Sequence, residues 1–179
     1  MASLKQEQVD AAEEFVSAAV DALKTEHGVH VETAVAGLAR MAGTFLFRSF
    51  GFTLSGLQPG QAVLSGNANE EGPRLVQLTG GVLAHVGVML DDEKIGGAPK
   101  PEHLPTLDFL ETQRRLEPAF QAIKERHGLS MQEAANAGAV ATALMIQRCA
   151  HALDPHIAFG VAVYGFIEGS KTAPDPVVL

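Results

Sequence analysis

The sequence predicts an all-α fold: a six-helix bundle built from two three-helix repeats related by approximate two-fold pseudo-symmetry. Three observations carry that expectation. A segment recurs, residues 16–48 matching residues 116–148 at a constant offset of 100, with identities at Ala19/Ala119, Ala22/Ala122, Lys24/Lys124, His27/His127, Gly28/Gly128, Ala34/Ala134, Ala39/Ala139 and Arg48/Arg148. Apolar residues return every three or four positions, the spacing that gives a helix one apolar stripe. Stretches rich in Gly and Pro, at residues 51–72 and 95–105, separate the periodic segments. The chain reads as one helical domain over residues 1–179, with repeat one at about 4–92, a linker at 95–105 and repeat two at about 106–170.

The first helix is expected over residues 4–26. Val9, Ala12, Phe15, Val16, Ala19, Val20 and Leu23 form its stripe, and Glu13, Glu14, Asp21 and Lys24 take the other face. His27-Gly28 should close it, Gly being suited to the left-handed residue that ends a helix. The second helix is expected over 30–50. Its charges are only Glu32, Arg40 and Arg48, and Ala34, Ala36, Gly37, Ala39, Ala42 and Gly43 keep it thin. A helix apolar on nearly every side belongs at the centre of a bundle.

Residues 51–72 break the pattern with five Gly, one Pro and two Asn, and read as a long excursion with a short strand or turn near residues 61–64. The third helix is expected over 73–90, Pro73 taking the first helical position. Gly80-Gly81 and Gly87 within it imply close packing or a kink. The fourth helix, 106–126, carries Pro118, which should kink or interrupt it, and ends at His127-Gly128. The fifth, 130–153, opens on a capping box, Ser130 with Glu133 three residues on. His30 and Thr33 stand at those positions in the first half, so the box is not repeated. Asp154-Pro155 starts the sixth helix, to about residue 168, and residues 172–179 read as a frayed tail. The second and fifth helices, the least charged, should be central.

Composition bounds the function. Of 179 residues 46% are hydrophobic without Gly, and 18 Gly bring the apolar share to about 56%, above the ~45–50% of an average domain. Charged residues are 19% against an average of ~25%. So little polar surface implies that some apolar surface is hidden by self-association or a partner, and a homodimer is expected. A net charge of −8, only 13 Lys and Arg, and no basic run argue against a nucleic-acid partner. No stretch is uninterrupted enough to span a membrane. The opening residues lack the pattern of a signal peptide, so a cytoplasmic location is expected. The single Cys149 excludes a disulfide framework and reads as a small buried hydrophobe.

Motifs for chemistry are few. His27, His30 and Glu32 cluster, but a Gly turn divides the two His, and the second half replaces His30 and Glu32 with Ser130 and Gln132. What both halves keep is His-Gly, read as a helix-end cap rather than a metal site. His85 and His151 have no acid at helical spacing to orient them. No Glu-x-x-His of the di-iron bundles occurs, nor a nucleophile elbow (residues 53–56 lack its first Gly), a Walker A loop or a dinucleotide fingerprint. No metal or other cofactor is expected, and no enzymatic reaction is assigned. The sharpest polar feature is the repeated pair Arg48 and Arg148. At matching points of the two central helices they could share a small anionic ligand, a carboxylate or phosphate ester, or each could pair with an acid of a neighbouring helix. The sequence thus points to a helical assembly or interaction protein acting as a homo-oligomer. The alternative is a bundle or enzyme that binds a small anion between its halves.

Overall fold

A computed structural model describes residues 4–52 and 56–177. Thr53, Leu54 and Ser55, weighed above as part of a nucleophile motif, lie outside the described residues. The described chain forms six α-helices and no strand: α1 (Gln6–Leu23), α2 (Val31–Ser49), α3 (Gly66–His85), α4 (Phe109–Arg126), α5 (Met131–Arg148) and α6 (Pro155–Lys171), with a single 3-10 turn at Pro101–His103 between α3 and α4. No helix among the described residues is long and apolar enough to cross a membrane.

The central position of α2 and α5 follows from their composition. Every residue of α2 from Thr33 to Phe47 is buried, and the helix touches all five others, while α5 touches α1, α2, α3 and α6. One cluster of buried apolar residues draws on all six helices. Phe15 of α1 stacks on Phe120 of α4 with ring centroids 4.4 Å apart, and Phe45 of α2 lies 6.0 Å from Phe15. The small residues set the spacing of the seams. A Cβ on Gly43 of α2 would lie 2.7 Å from the Phe166 carbonyl oxygen and 2.7 Å from the Ser170 nitrogen of α6. On Gly165 of α6 it would lie 2.8 Å from Ala39 Cβ, and on Gly138 of α5 it would lie 2.7 Å from Ala42 Cβ. Glycine at these positions lets backbone meet backbone.

Several boundaries differ from expectation. α3 begins at Gly66, not Pro73, with the Ser65 hydroxyl accepting the Ala68 N–H at 3.2 Å. Its early turns are held by tertiary packing: Ala68 is buried, and Gly72 faces Ser170 of α6. The excursion therefore shrinks to residues 51–65. Gly81 has open space and Gly80 only ordinary contact with Phe159, so neither is explained by close packing. α4 runs unbroken through Pro118. α1 ends at Leu23, and Thr25 and Gly28 close a separate turn, so His27 does not cap it, whereas His127 does stand at the C-cap of α4. His30 caps α2: its Nδ1 accepts the Thr33 N–H at 3.3 Å and lies 2.8 Å from the Thr33 hydroxyl, an imidazole in the place of the serine of the second half. The described part of the tail, residues 172–177, is anchored at its start rather than frayed. Val63 N–H donates to the Lys171 carbonyl, Gly60 N–H to the Ala173 carbonyl and Ala173 N–H to the Gln61 carbonyl, and Ala173 is fully buried.

Candidate functional site

Arg48 and Arg148, the residues singled out by the repeat, each meet an acid of the other half. The side chain of Arg48 is buried, with Nε 2.8 Å and Nη2 3.1 Å from the two oxygens of Glu117 on α4, and Nη1 donates to the Pro176 carbonyl at 2.8 Å. Gln113 extends this network, donating to Glu117 and exchanging two backbone hydrogen bonds with Asp175. Arg148 is half-exposed and pairs with Glu13 on α1. Among the described residues the two arginines have no partner in common.

The histidines scatter. His27 is exposed beside Glu26, His85 and His151 are exposed, and His127 lies 2.9 Å from Glu14. Among the described residues no group of three or more His, Cys, Asp or Glu is placed to hold a metal ion. Cys149 is half-buried at the end of α5, its sulfur 3.7 Å from that of Met145, and burial raises its thiol pKa above the ordinary value.

Two concave surfaces of about 650 Å³ each lie elsewhere, one of them beside Arg74, Gln77 and Gln132. The other is a groove along α6, floored by Ala36 and Arg40 of α2 and walled by Pro99, Leu104 and Pro105 of the linker. Ala62, Leu64 and Thr172 close its far side. Each wall has a local cause. The pairing of residues 60–63 with 171–173 brings Ala62 and Leu64 alongside the end of α6. The linker is clasped to the start of α2 by two contacts. Thr33 Oγ1 accepts the Thr106 N–H at 2.9 Å, and His103 Nδ1 lies 3.0 Å from Glu32 Oε1. Burial pushes the Glu32 carboxyl up, but the hydrogen bond to His103 and the nearby imidazoles outweigh it and hold its pKa below the ordinary value.

No known protein family, characterised protein or solved structure matches the chain. Its function has to be argued from these surfaces.

Arg40 is the charged residue of the groove floor, and it is 95% buried, being 5% exposed. Its Nε donates to Glu168 Oε2 at 2.7 Å; its Nη1 reaches the Thr112 hydroxyl at 2.9 Å and the carbonyls of Leu107 at 2.8 Å and Asp108 at 3.4 Å. One guanidinium thus ties α2 to α6 and to the start of α4. A buried charge needs such partners, since desolvation without them costs several kcal/mol per ion. Comparison of the repeats passes over this residue because Val140 stands at the matching position. The available signal was a lone Arg in a helix whose other residues for a dozen positions are uncharged.

Four of the seven exposed large apolar residues among the described residues line this groove, while Val9, Val86 and Met89 do not. Leu64 is 86%, Leu104 51%, Ile167 46% and Tyr164 45% exposed, and all four line the groove. Two further hollows flank α6, one against Ile95 and Gly97, the other against Pro73 and Val76 of α3.

Proposed function

We propose that the protein is an assembly protein that forms a homodimer through the outer face of α6. The observation that carries this reading is the two-sidedness of that helix. Its inner face, Ala158, Val161, Ala162, Gly165, Phe166 and Gly169, is buried. Its outer face is Ile157, Gly160, Val163, Tyr164 and Ile167, with no charge until Glu168. A helix apolar all round is normally covered on both sides.

A closed dimer uses the same patch on both copies. Antiparallel pairing of α6 about an axis near Val163 and Tyr164 sets Ile167 of one copy over Gly160 of the other. A Cβ at Gly160 would meet nothing within 4 Å, so the notch is open. The same pairing brings Lys171 towards the exposed Asp154 carboxylate at the opposite end, a complementary charge. An interface of standard size covers roughly 800 Å² per partner, a small part of the 8805 Å² surface.

The test is a cysteine placed next to the axis. Val163→Cys in a Cys149→Ser background is expected to form a dimer through its own disulfide under mild oxidation. Ala150→Cys, at the exposed end of α5, is expected not to. Equal cross-linking of the two would overturn the reading.

The duplicated origin of the bundle, with its two-fold pseudo-symmetry, belongs to the same proposal. It is supported by reciprocal packing: α1 leans on α5 as α4 leans on α2, and α6 on α2 as α3 on α5. A cytoplasmic location is in keeping with a chain whose one cysteine is unpaired. A small anion held by Arg48 and Arg148 would compete there with Glu117 and Glu13. An Arg48→Ala/Arg148→Ala variant that folds and loses no ligand removes that alternative.

A further inference from the structure

We infer that the groove beside α6 is a binding site for an aliphatic monocarboxylate, its carboxylate received by Arg40 and Lys171 and its chain lying along Leu64, Leu104 and Ile167. The inference reads the groove of a single chain, and because Tyr164, Ile167 and Lys171 also belong to the face proposed for the dimer, ligand and partner copy compete for that end of the groove.

Two observations point to a ligand. The first is an unused donor. Nε and Nη1 of Arg40 are engaged, but Nη2 makes no hydrogen bond among the described residues. It is not sealed in either, because the fully enclosed side-chain polar atom without a partner is Thr44 Oγ1, not Arg40 Nη2. A nine-tenths-buried guanidinium lining a groove, with one accessible nitrogen free, is prepared for an acceptor oxygen.

The second is the charge balance. Among the groove's lining residues the charged groups are Arg40, Glu168 and Lys171. Glu168 offsets Arg40, and Lys171 makes no ion pair among the described residues. One positive charge is left over on a protein whose net charge is −8. A single anionic oxygen pair balances it and satisfies Nη2. A dianion would place surplus negative charge beside Glu168. Apart from these three charged groups, Thr172 and Tyr164, the lining side chains are aliphatic, which selects an alkyl body. The groove's volume, about 650 Å³, falls within the range of small-molecule sites.

Decanoate, below its micellar concentration, is the probe, titrated calorimetrically into the full-length protein beside decanol of the same chain length. Saturable binding of decanoate is expected, with decanol at least about tenfold weaker because it lacks the charge that Arg40 and Lys171 receive. Leu64→Asp sets a carboxylate in the wall at a position too exposed to affect folding, and is expected to weaken decanoate by about tenfold or more. Lys171→Met is expected to weaken decanoate and leave decanol unchanged. No saturable decanoate binding, decanol binding as tightly as decanoate, or unchanged affinity in Leu64→Asp would each overturn the inference.

Discussion

Replacing Gly43 with alanine tests how tightly α2 and α6 are joined. The new Cβ would sit 2.7 Å from the Phe166 oxygen, 2.7 Å from the Ser170 nitrogen and 2.8 Å from Gly169 Cα. A close carbon–oxygen approach is about 3.3 Å, so the shortfall is about 0.6 Å. All three obstacles are backbone, and no rotamer change relieves them. The seam must open by about that distance, and a gap of ~0.5–1 Å forfeits a quarter to a half of each dispersion contact it affects. Overpacking of this kind costs about 1–3 kcal/mol, and rigid obstacles put Gly43 at the upper end. Against that stands the helix preference of Ala over Gly, up to about 1 kcal/mol. The net loss is about 2 kcal/mol, and for a chain of this length that lowers Tm by roughly 4–8 °C. Gly81→Ala is the matched control. It is the same change inside α3, where a Cβ meets nothing within 4 Å. It is expected to gain about 0.5–1 kcal/mol, raising Tm by roughly 1–4 °C. Thermal unfolding followed by far-ultraviolet circular dichroism reads both. A Gly43→Ala protein as stable as the Gly81→Ala protein would refute the reasoning.

Three further outcomes follow from the polar contacts. Arg48→Met leaves Glu117 buried without its cation and is expected to cost about 3–5 kcal/mol in urea unfolding, most of it recovered when Glu117→Leu is added. Thr44→Val removes the enclosed hydroxyl oxygen that has no partner among the described residues and is expected to stabilise by roughly 1 kcal/mol, seen as a higher urea midpoint. Glu133 accepts from Lys5 at 2.5 Å and from Ser130 N–H at 2.9 Å, and these bonds pull its pKa down from 4.5 to about 2. Its contribution is therefore complete above its unfolded value and lost as pH falls towards 2. Glu133→Gln should be less stable than wild type at pH 7, with the difference closing between about pH 4.5 and 2 as unfolding is repeated in acid.

Helix number, order and the central pair were legible in the sequence, because a 3–4 residue spacing and a scarcity of charge act locally on each segment. What tertiary contacts decide was not. Gly66-Asn67 is a poor helix start by propensity, yet Ser65 caps it and Ala68 is buried. The stretch after Lys171 carries no periodic signal, and its anchor is backbone pairing with residues 60–63, over a hundred positions earlier. The candidate site divides in the same way. Arg48 and Arg148 stood out because they repeat, and repetition marks what both halves need. Arg40 has no counterpart, and its partners Glu168, Thr112 and Leu107 come from segments with no spacing relation to it. The excess of apolar residues was visible in the composition. That Leu64, Leu104, Tyr164 and Ile167 would meet on one side required the fold.

Sedimentation equilibrium on the wild type and on Ile167→Lys tests the central claim most directly. Ile167 is 46% exposed, so a lysine there is tolerated by the fold but would bury a charge in an α6–α6 interface. Wild type is expected at twice the 18.8 kDa chain mass and Ile167→Lys at the chain mass. Val9→Lys, an equally mild change on α1, should remain a dimer. A wild type that sediments at the chain mass at every concentration up to the millimolar range would contradict the proposal, as would an Ile167→Lys protein that associates like wild type.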